Sequence, residues 1–329
     1  MKELLVVFGI VFAASFLLTA ILTRIIIPIL KGKKAGQHIL EIGPRWHAEK
    51  EGTPTMGGIA FIMAILFVLA CASVWFAVGG KQRELIPLAL TLGLAVMNGL
   101  IGFVDDFCKL MKKQNEGLKA YQKSALQVLA AAIYIFVLKV LGYIDTSLHI
   151  PFTEISVELG LVYYVFALFV IVGVVNSVNL TDGVDGLAGT TTLVVFGFFA
   201  FVGLQYLHPS LTLLSGALIG GMLGFLLYNL HPAKVFMGDT GSLFLGGVVT
   251  GAAFLINEPM IVLLVGGMYV LESVSVILQV GSFKLRHKRI FKMAPIHHHF
   301  EQCGWKEGTI VAVFGMVTAM LCVLAWFGL

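Results

Sequence analysis

The sequence predicts an all-α, polytopic integral membrane protein with about ten transmembrane helices, and three observations carry that prediction. The 329 residues are 58% hydrophobic and only 12% charged, with a mean hydropathy of +0.95, where a soluble domain carries about 25% charge. Its apolar runs are long enough to cross about 30 Å of hydrocarbon as helices. Its Lys and Arg residues fall almost entirely in alternate loops. No soluble domain of ordinary size fits between the runs, so residues 1–329 read as one membrane-embedded domain.

The first run, Leu4–Thr23, is longer than a signal-peptide core and lacks a clear cleavage site, so a retained helix is expected over 4–27. Further helices are expected near 56–78, 85–104, 122–141 and 159–178. The uncharged block Gly186–Ala233 is too long for one span, and His208-Pro209 divides it into 186–206 and 211–229. Helices near 240–256, 260–281 and 307–328 complete the set. Between the fourth and fifth, Tyr143–Glu158 alternates apolar and polar residues around Pro151, which predicts a small hairpin near 144–157. Glycines repeating every fourth residue at 216, 220 and 224, and at 247 and 251, make narrow stripes where helices can approach closely. Cys71, Cys108, Cys303 and Cys322 show neither paired nor metal-ligand spacing and read as free thiols.

The basic residues orient the bundle. The loops after odd-numbered helices hold Lys31, Lys33, Lys34, Arg45, Lys50, Lys109, Lys112, Lys113, Lys119, Lys123, Lys234, Lys284, Arg286, Lys288, Arg289, Lys292 and Lys306, while the opposite face has only Lys2, Lys81, Arg83 and Lys139. By the positive-inside rule those loops are cytoplasmic and both termini lie outside. Nine or eleven helices would scramble this alternation.

Five acids, Asp105, Asp106, Asp182, Asp185 and Asp239, sit where apolar stretches end, all on the basic side. An ionised carboxylate costs roughly 2.5–3.5 kcal/mol at the bilayer centre on insertion scales, so it needs a partner or a task. Asp105-Asp106 is expected to close the third helix, with Lys109, Lys112 and Lys113 following as a basic patch. Adjacent carboxylates with a nearby lysine suit a base or a metal pair. In Asn179-Leu-Thr-Asp182-Gly183-Val-Asp185-Gly186 the glycines permit a tight re-entry, and free amides at the next helix start suit phosphate. The spacing does not fit an EF-hand, which needs a glycine at loop position six and an acid at twelve. Phe236-Met-Gly-Asp239-Thr-Gly-Ser242 opens the eighth helix, with Asp239 able to cap it and Phe236 able to stack on a base. His297, His298 and His299 cannot all face one ion from a helix, so hydrogen bonds to phosphate or sugar suit them better than a zinc cage. Thr53-Pro-Thr55-Met-Gly-Gly58 adds hydroxyls and glycines at the second helix. There is no Walker A loop, no dinucleotide fingerprint after a strand and no nucleic-acid module, so ATP-driven work, hydride transfer and a nucleic-acid partner are not expected. Glu272, inside the ninth helix, is the one feature favouring an ion-coupled carrier, but a carrier places its acids at the midplane rather than at one surface.

These blocks, together with Gly102-Phe-Val-Asp-Asp106 and Ala294-Pro-Ile-His-His-His299, resemble the polyprenyl-phosphate N-acetylhexosamine-1-phosphate transferase superfamily through essentially the whole chain. The Ala-Pro-x-His-His-His block favours its muramoyl-pentapeptide branch over relatives using UDP-GlcNAc. The resemblance implies a Mg2+-dependent homodimer in the bacterial cytoplasmic membrane, with its site facing the cytoplasm. Its substrates would be UDP-MurNAc-pentapeptide and undecaprenyl phosphate, its products UMP and the first lipid intermediate of peptidoglycan synthesis. Carried over residue by residue, Asp239 becomes the principal metal ligand with Asp182 beside the metal and diphosphate. Asp105 and Asp106 bind or activate the lipid phosphate, and His298 joins them in the catalytic set. Asn179, Gly183, Asp185, Asn229 and Phe236 line a uridine pocket. Lys50, Thr55, Lys109, Lys119, Gln279, His297 and His299 bind diphosphate and sugar.

Overall fold

The structure is a computed structural model that describes residues 1–32, 52–80, 85–112 and 117–329. It is a helical bundle in which α1 (Lys2–Gly32), α2 (Gly58–Val78), α3 (Ile86–Lys112) and α4 (Ala120–Val140) precede a two-stranded hairpin, β1 (Ser147–His149) and β2 (Ser156–Glu158). Then follow α5 (Leu161–Thr181), α6 (Leu187–Gln205), α7 (Pro209–Asn229) and α8 (Gly238–Leu255). A 3₁₀ turn at Pro259–Ile261 leads into the short α9 (Val262–Val265), then α10 (Gly267–Arg286), α11 (Ile296–Gln302) and α12 (Glu307–Trp326). Among the described residues nine helices are long and apolar enough to cross a membrane. The tenth expected span, α8, has 18 residues and lies enclosed by the others, with every residue from Thr240 to Phe254 buried.

Three boundaries differ from the sequence reading. Asp105 and Asp106 do not end the third helix, which continues to Lys112. Lys109 lies one turn below Asp105, its Nζ 2.6 Å from Oδ2, and this (i, i+4) pair supports the extra turns. The fourth helix starts at Ala120, ahead of the expected 122, so Lys123 stands in its first turn and not in the basic loop. The ninth span is interrupted at Gly266, where α9 stops and α10 starts afresh.

Packing explains the centre. α7 lies along α1 because Gly216, Gly220 and Gly224 carry no side chain where the α1 backbone passes, and a Cβ at Gly220 would collide with the Phe12 carbonyl. α8 packs against α3 and α5, with α2 and α6 adding contacts. Large side chains such as Phe61, Phe225 and Phe244 fill the space between them. His208 and Pro209 start α7, the ring Nδ1 accepting the Leu211 N–H at 3.3 Å and the proline sitting where a helix wants no donor. The predicted hairpin pairs Leu148 with Val157. Its His149 Nδ1 lies 3.1 Å from Glu258 Oε2, tying it to the chain just after α8.

Candidate active site

α3 and α8 pack side by side and antiparallel, Thr91 against Gly251, Ala95 against Gly247 and Gly102 against Asp239, and this packing places the acids. Gly102 faces the start of α8, where any side chain would collide with the Asp239 backbone carbonyl. That close approach lets Asp106, one turn on, serve α8 as its cap. No side chain of α8's own N-terminal segment does so. Asp106 Oδ1 accepts the Asp239 N–H at 3.2 Å, and Oδ2 accepts the Thr240 N–H at 2.9 Å and the Thr240 hydroxyl at 2.7 Å. A helix start offers free N–H groups, and a carboxylate satisfies both their hydrogen bonds and the positive end of the helix dipole.

Asp239 is thereby held beside Asp105 and Asp106. The three each offer an oxygen within 4.8 Å of the others. Two ammonium groups keep this charge together. Lys109 Nζ lies 2.6 Å from Asp105, 3.1 Å from Asp239 and 3.9 Å from Asp106. Lys123 Nζ reaches Asp239 Oδ2 at 2.8 Å and Asn179 Oδ1 at 3.2 Å. Asn179 in turn donates to Asp239 Oδ1 at 3.0 Å and to Ser242 Oγ at 2.8 Å. Asp105 Oδ1 accepts the Leu118 N–H at 2.7 Å, which anchors the chain entering α4. Three carboxylates against two ammoniums leave one negative charge in excess, on hard oxygen atoms of the kind that Mg2+ takes.

Asp182 lies outside that group of three, half-buried in the turn between α5 and α6. Desolvation raises its carboxyl well above the usual carboxylate range, and the charges of Asp239, Asp106 and Asp185 add to the shift. Gly186 in the same turn has φ +78°, the left-handed backbone expected of it, whereas Gly183 does not.

Asp185 belongs to a second group with His231 and Glu307. Its Oδ2 accepts the Ala233 N–H at 3.0 Å and lies 3.2 Å from His231 Nδ1, and its own N–H donates to Glu307 Oε2 at 3.2 Å. These residues, with Thr53, Trp305 and Lys306, line an open cavity of about 780 Å³.

Of the remaining expected site residues, Thr55 reaches the acids, its hydroxyl standing beside Gly238 along with Asp106 Oδ2. Phe236 is half-buried and pairs through its backbone with Pro54 and Gly57, at 2.8 Å each. Asn229 is buried, donating to the Val235 carbonyl at 2.9 Å, and its Oδ1 has no protein partner. Lys119 is exposed at the start of α4. Gln279 is occupied elsewhere: its Oε1 accepts the N–H groups of Ile290 and Phe291, and its Nε2 donates to the Phe291 carbonyl. His299 Nδ1 accepts the Lys292 N–H, and His298 Nδ1 lies 2.5 Å from Glu301 Oε2. His297 is buried. Lys50 lies outside the described residues.

The sequence reading missed Lys123, His231 and Glu307. For Lys123 the signal was a lysine at the start of an expected helix on the side of the acids. For the other two there was none, because they meet Asp185 from 46 and 122 residues away in the chain.

Residues 87–257 match the model of glycosyl transferase family 4. Residues 50–62 match signature 1 of the phospho-N-acetylmuramoyl-pentapeptide-transferases. A phospho-N-acetylmuramoyl-pentapeptide-transferase of Alkaliphilus oremlandii is 47% identical over 329 residues, covering 96% of each chain. Those of Clostridium perfringens (strain 13) and Clostridium novyi are 45% and 43% identical, each over 96% of this chain. The chain belongs to the phospho-N-acetylmuramoyl-pentapeptide transferase family. In this member of the family the matched segment 87–257 runs from α3 to the end of α8, so it contains Asp105, Asp106, Lys109, Lys123, Asn179, Asp182, Asp185 and Asp239.

Proposed function

We infer that this chain transfers phospho-MurNAc-pentapeptide from UDP-MurNAc-pentapeptide to undecaprenyl phosphate, giving undecaprenyl-diphospho-MurNAc-pentapeptide and UMP. The observation carrying this reading is the convergence of Asp105, Asp106 and Asp239 oxygens within 4.8 Å, with Lys109 facing all three and Lys123 on Asp239, in a chain 47% identical to a transferase of that name. An oxygen of the lipid phosphate attacks the sugar-bearing phosphorus of the donor. The bond to the inner phosphate breaks, and UMP leaves with the electron pair.

The donor and acceptor are both anions, so their meeting requires positive charge. Mg2+ held by Asp239, with Asp182 beside it, would neutralise the diphosphate and stabilise the departing UMP. Lys109 and Lys123 supply two further cations already directed at the same spot. Asp105, whose Oδ2 now rests on Lys109, is placed to take a proton from the lipid phosphate. Asp106 has its oxygens committed to α8, so its part is to fix where Asp239 stands. Asn179 orients Asp239 from the other side. The remaining catalysis is positioning and electrostatics.

Asp185, Gly183, Asn229 and Phe236 line the uridine side, and Thr55, Lys119, His298 and His299 the diphosphate and sugar side. The acceptor's isoprenoid tail stays in lipid while its phosphate meets these groups, so the site sits at the cytoplasmic face of the bacterial inner membrane. The working unit is a homodimer. The test is UMP release from purified protein in detergent, with and without undecaprenyl phosphate, offering UDP-MurNAc-pentapeptide or UDP-GlcNAc. Release only from UDP-GlcNAc would reassign the chain to a sister specificity, and release without any acceptor would remove the transfer reaction.

A further inference from the structure

α10 carries one acid, Glu272, that is wholly enclosed by protein. A carboxylate in such a place costs several kcal/mol unless something holds it. What holds it is His297. The His297 N–H donates to Glu272 Oε2 at 3.4 Å, and ring Nδ1 lies 3.1 Å from Glu272 Oε1, close but off the line of a hydrogen bond. The ring is 1% exposed, and its far edge, Nε2 and Cε1, occupies the space where a side chain on Gly183 would begin. Nε2 has no hydrogen-bond partner in the protein. Gly183 is not in left-handed backbone, so its glycine is demanded by this ring and not by the turn's own geometry.

Gly183 joins Asp182 to Val184 and Asp185. The turn is thus held at two points. Asp185 is fixed by the Ala233 N–H, His231 and Glu307, and Gly183 bears on His297. The second point alone traces back to a charge inside the bundle.

We propose that Glu272 is a positioning residue that holds the His297 ring against Gly183 and so sets the Asp182 carboxylate beside Asp239. Neither Glu272 nor His297 belongs to the group of Asp105, Asp106 and Asp239. The proposal rests on the reaction inferred above, because turnover is one of its readouts. It also has a readout that needs no turnover, the affinity for Mn2+ followed by paramagnetic resonance in detergent.

Glu272→Gln keeps the shape and removes the charge. It is expected to lower kcat by about 10–100-fold, the usual cost of losing a group that orients a metal site. Mn2+ binding weakens with it, while the KM for undecaprenyl phosphate and the thermal midpoint stay unchanged. Gly183→Ala drives a methyl into the ring and should give the same two losses. Because both act through one contact, the double variant should lose no more than the worse single one. Wild-type kcat and Mn2+ affinity in Glu272→Gln, or losses that multiply in the double variant, overturn the proposal. A purely structural role is also distinguishable, since it lowers the thermal midpoint and the folded yield without changing Mn2+ affinity per folded molecule, and that result overturns the proposal too. Should Glu272→Gln not fold, Gly183→Ala decides: wild-type Mn2+ affinity there rejects the idea. If wild-type protein fails to release UMP, the reaction is refuted, and the Mn2+ measurements still judge Glu272.

Discussion

Among the described residues, two groups of three acidic or histidine side chains converge, and they are built on opposite terms. Asp105, Asp106 and Asp239 come from the helices α3 and α8, and most of their charge faces lysine ammoniums. Asp185, His231 and Glu307 come from two loops and the first turn of α12, and the Asp185 carboxylate faces the Ala233 N–H and the His231 imidazole. The first group leaves oxygen edges for a cation. The second commits its two acids to backbone N–H groups, Asp185 to that of Ala233 and Glu307 to that of Asp185, closing the 230s segment over the Asp182–Asp185 turn. Distance between carboxylates is the same criterion in both, so what separates a cation site from a clamp is who already holds the oxygens.

The sharpest way to break this contrast is Asp239→Asn. UMP release is expected to fall on the order of 10²–10³-fold, the scale for losing a principal electrostatic stabiliser, while size-exclusion chromatography still shows a folded protein. Near-normal turnover would remove the metal role from the first group. Next in size is Lys123→Met, which strips Asp239 of one ammonium. Turnover should drop by about 10–100-fold, and a rate unchanged at saturating substrate would show that Lys109 suffices. Asp106→Asn tests the cap. It should cost about 1 kcal/mol of stability, or about 2–4 °C in thermal midpoint, together with weaker Mg2+ activation because Asp239 loses its fixed backbone. His231→Ala removes a half-exposed partner of Asp185. It should raise the KM for the UDP-linked donor a few-fold and leave the response to Mg2+ unchanged. A lost Mg2+ response there would mean that the two groups had been assigned the wrong way round.

The smallest effect belongs to the β1–β2 hairpin, which serves as a control away from both groups. The Thr153 carbonyl and then Glu258 raise His149 above its ordinary value of 6.5, and burial raises Glu258 above 4.5. Both folded values are raised, so the folded state binds more protons. Stability from His149 is therefore complete below about pH 6.5 and declines as pH rises through its raised value. Thermal midpoints should fall by about 1–2 °C between pH 6 and 8, the modest size expected of a solvent-screened pair. His149→Gln should flatten that slope, and an unaltered slope would place its origin elsewhere.

Much of the fold was readable because lipid-crossing helices are written as uninterrupted apolar runs. The hairpin was readable too, from alternation over a few residues. The break at Gly266 was not, since a Gly266-Gly267 pair among apolar residues looks the same in a straight helix as in a divided one. The extension of α3 past Asp105-Asp106 was hidden for another reason: charged residues normally mark a helix leaving lipid, but here Lys109 pairs with them inside the same helix. At the site, Asp105, Asp106 and Asp239 stood out as acids at the ends of apolar stretches. That Asp106 caps a helix 133 residues away could not be read, because a cap is ordinarily sought just before the helix it serves. In the sequence Gly183 reads as a turn former, and only the His297 ring reveals why it is glycine.

Because α8 is sheathed by its neighbours from Thr240 to Phe254, the strand of chain that bears Asp239 never meets an acyl chain. Bilayer thickness acts on a protein through helices that touch lipid, which tilt or bend to match it. Here that adjustment falls on the outer ring, such as α1 and α4, whose flanks are exposed. Reconstituted into vesicles of shorter or longer phospholipids, the enzyme should keep a constant response to added Mg2+ even where its overall rate changes.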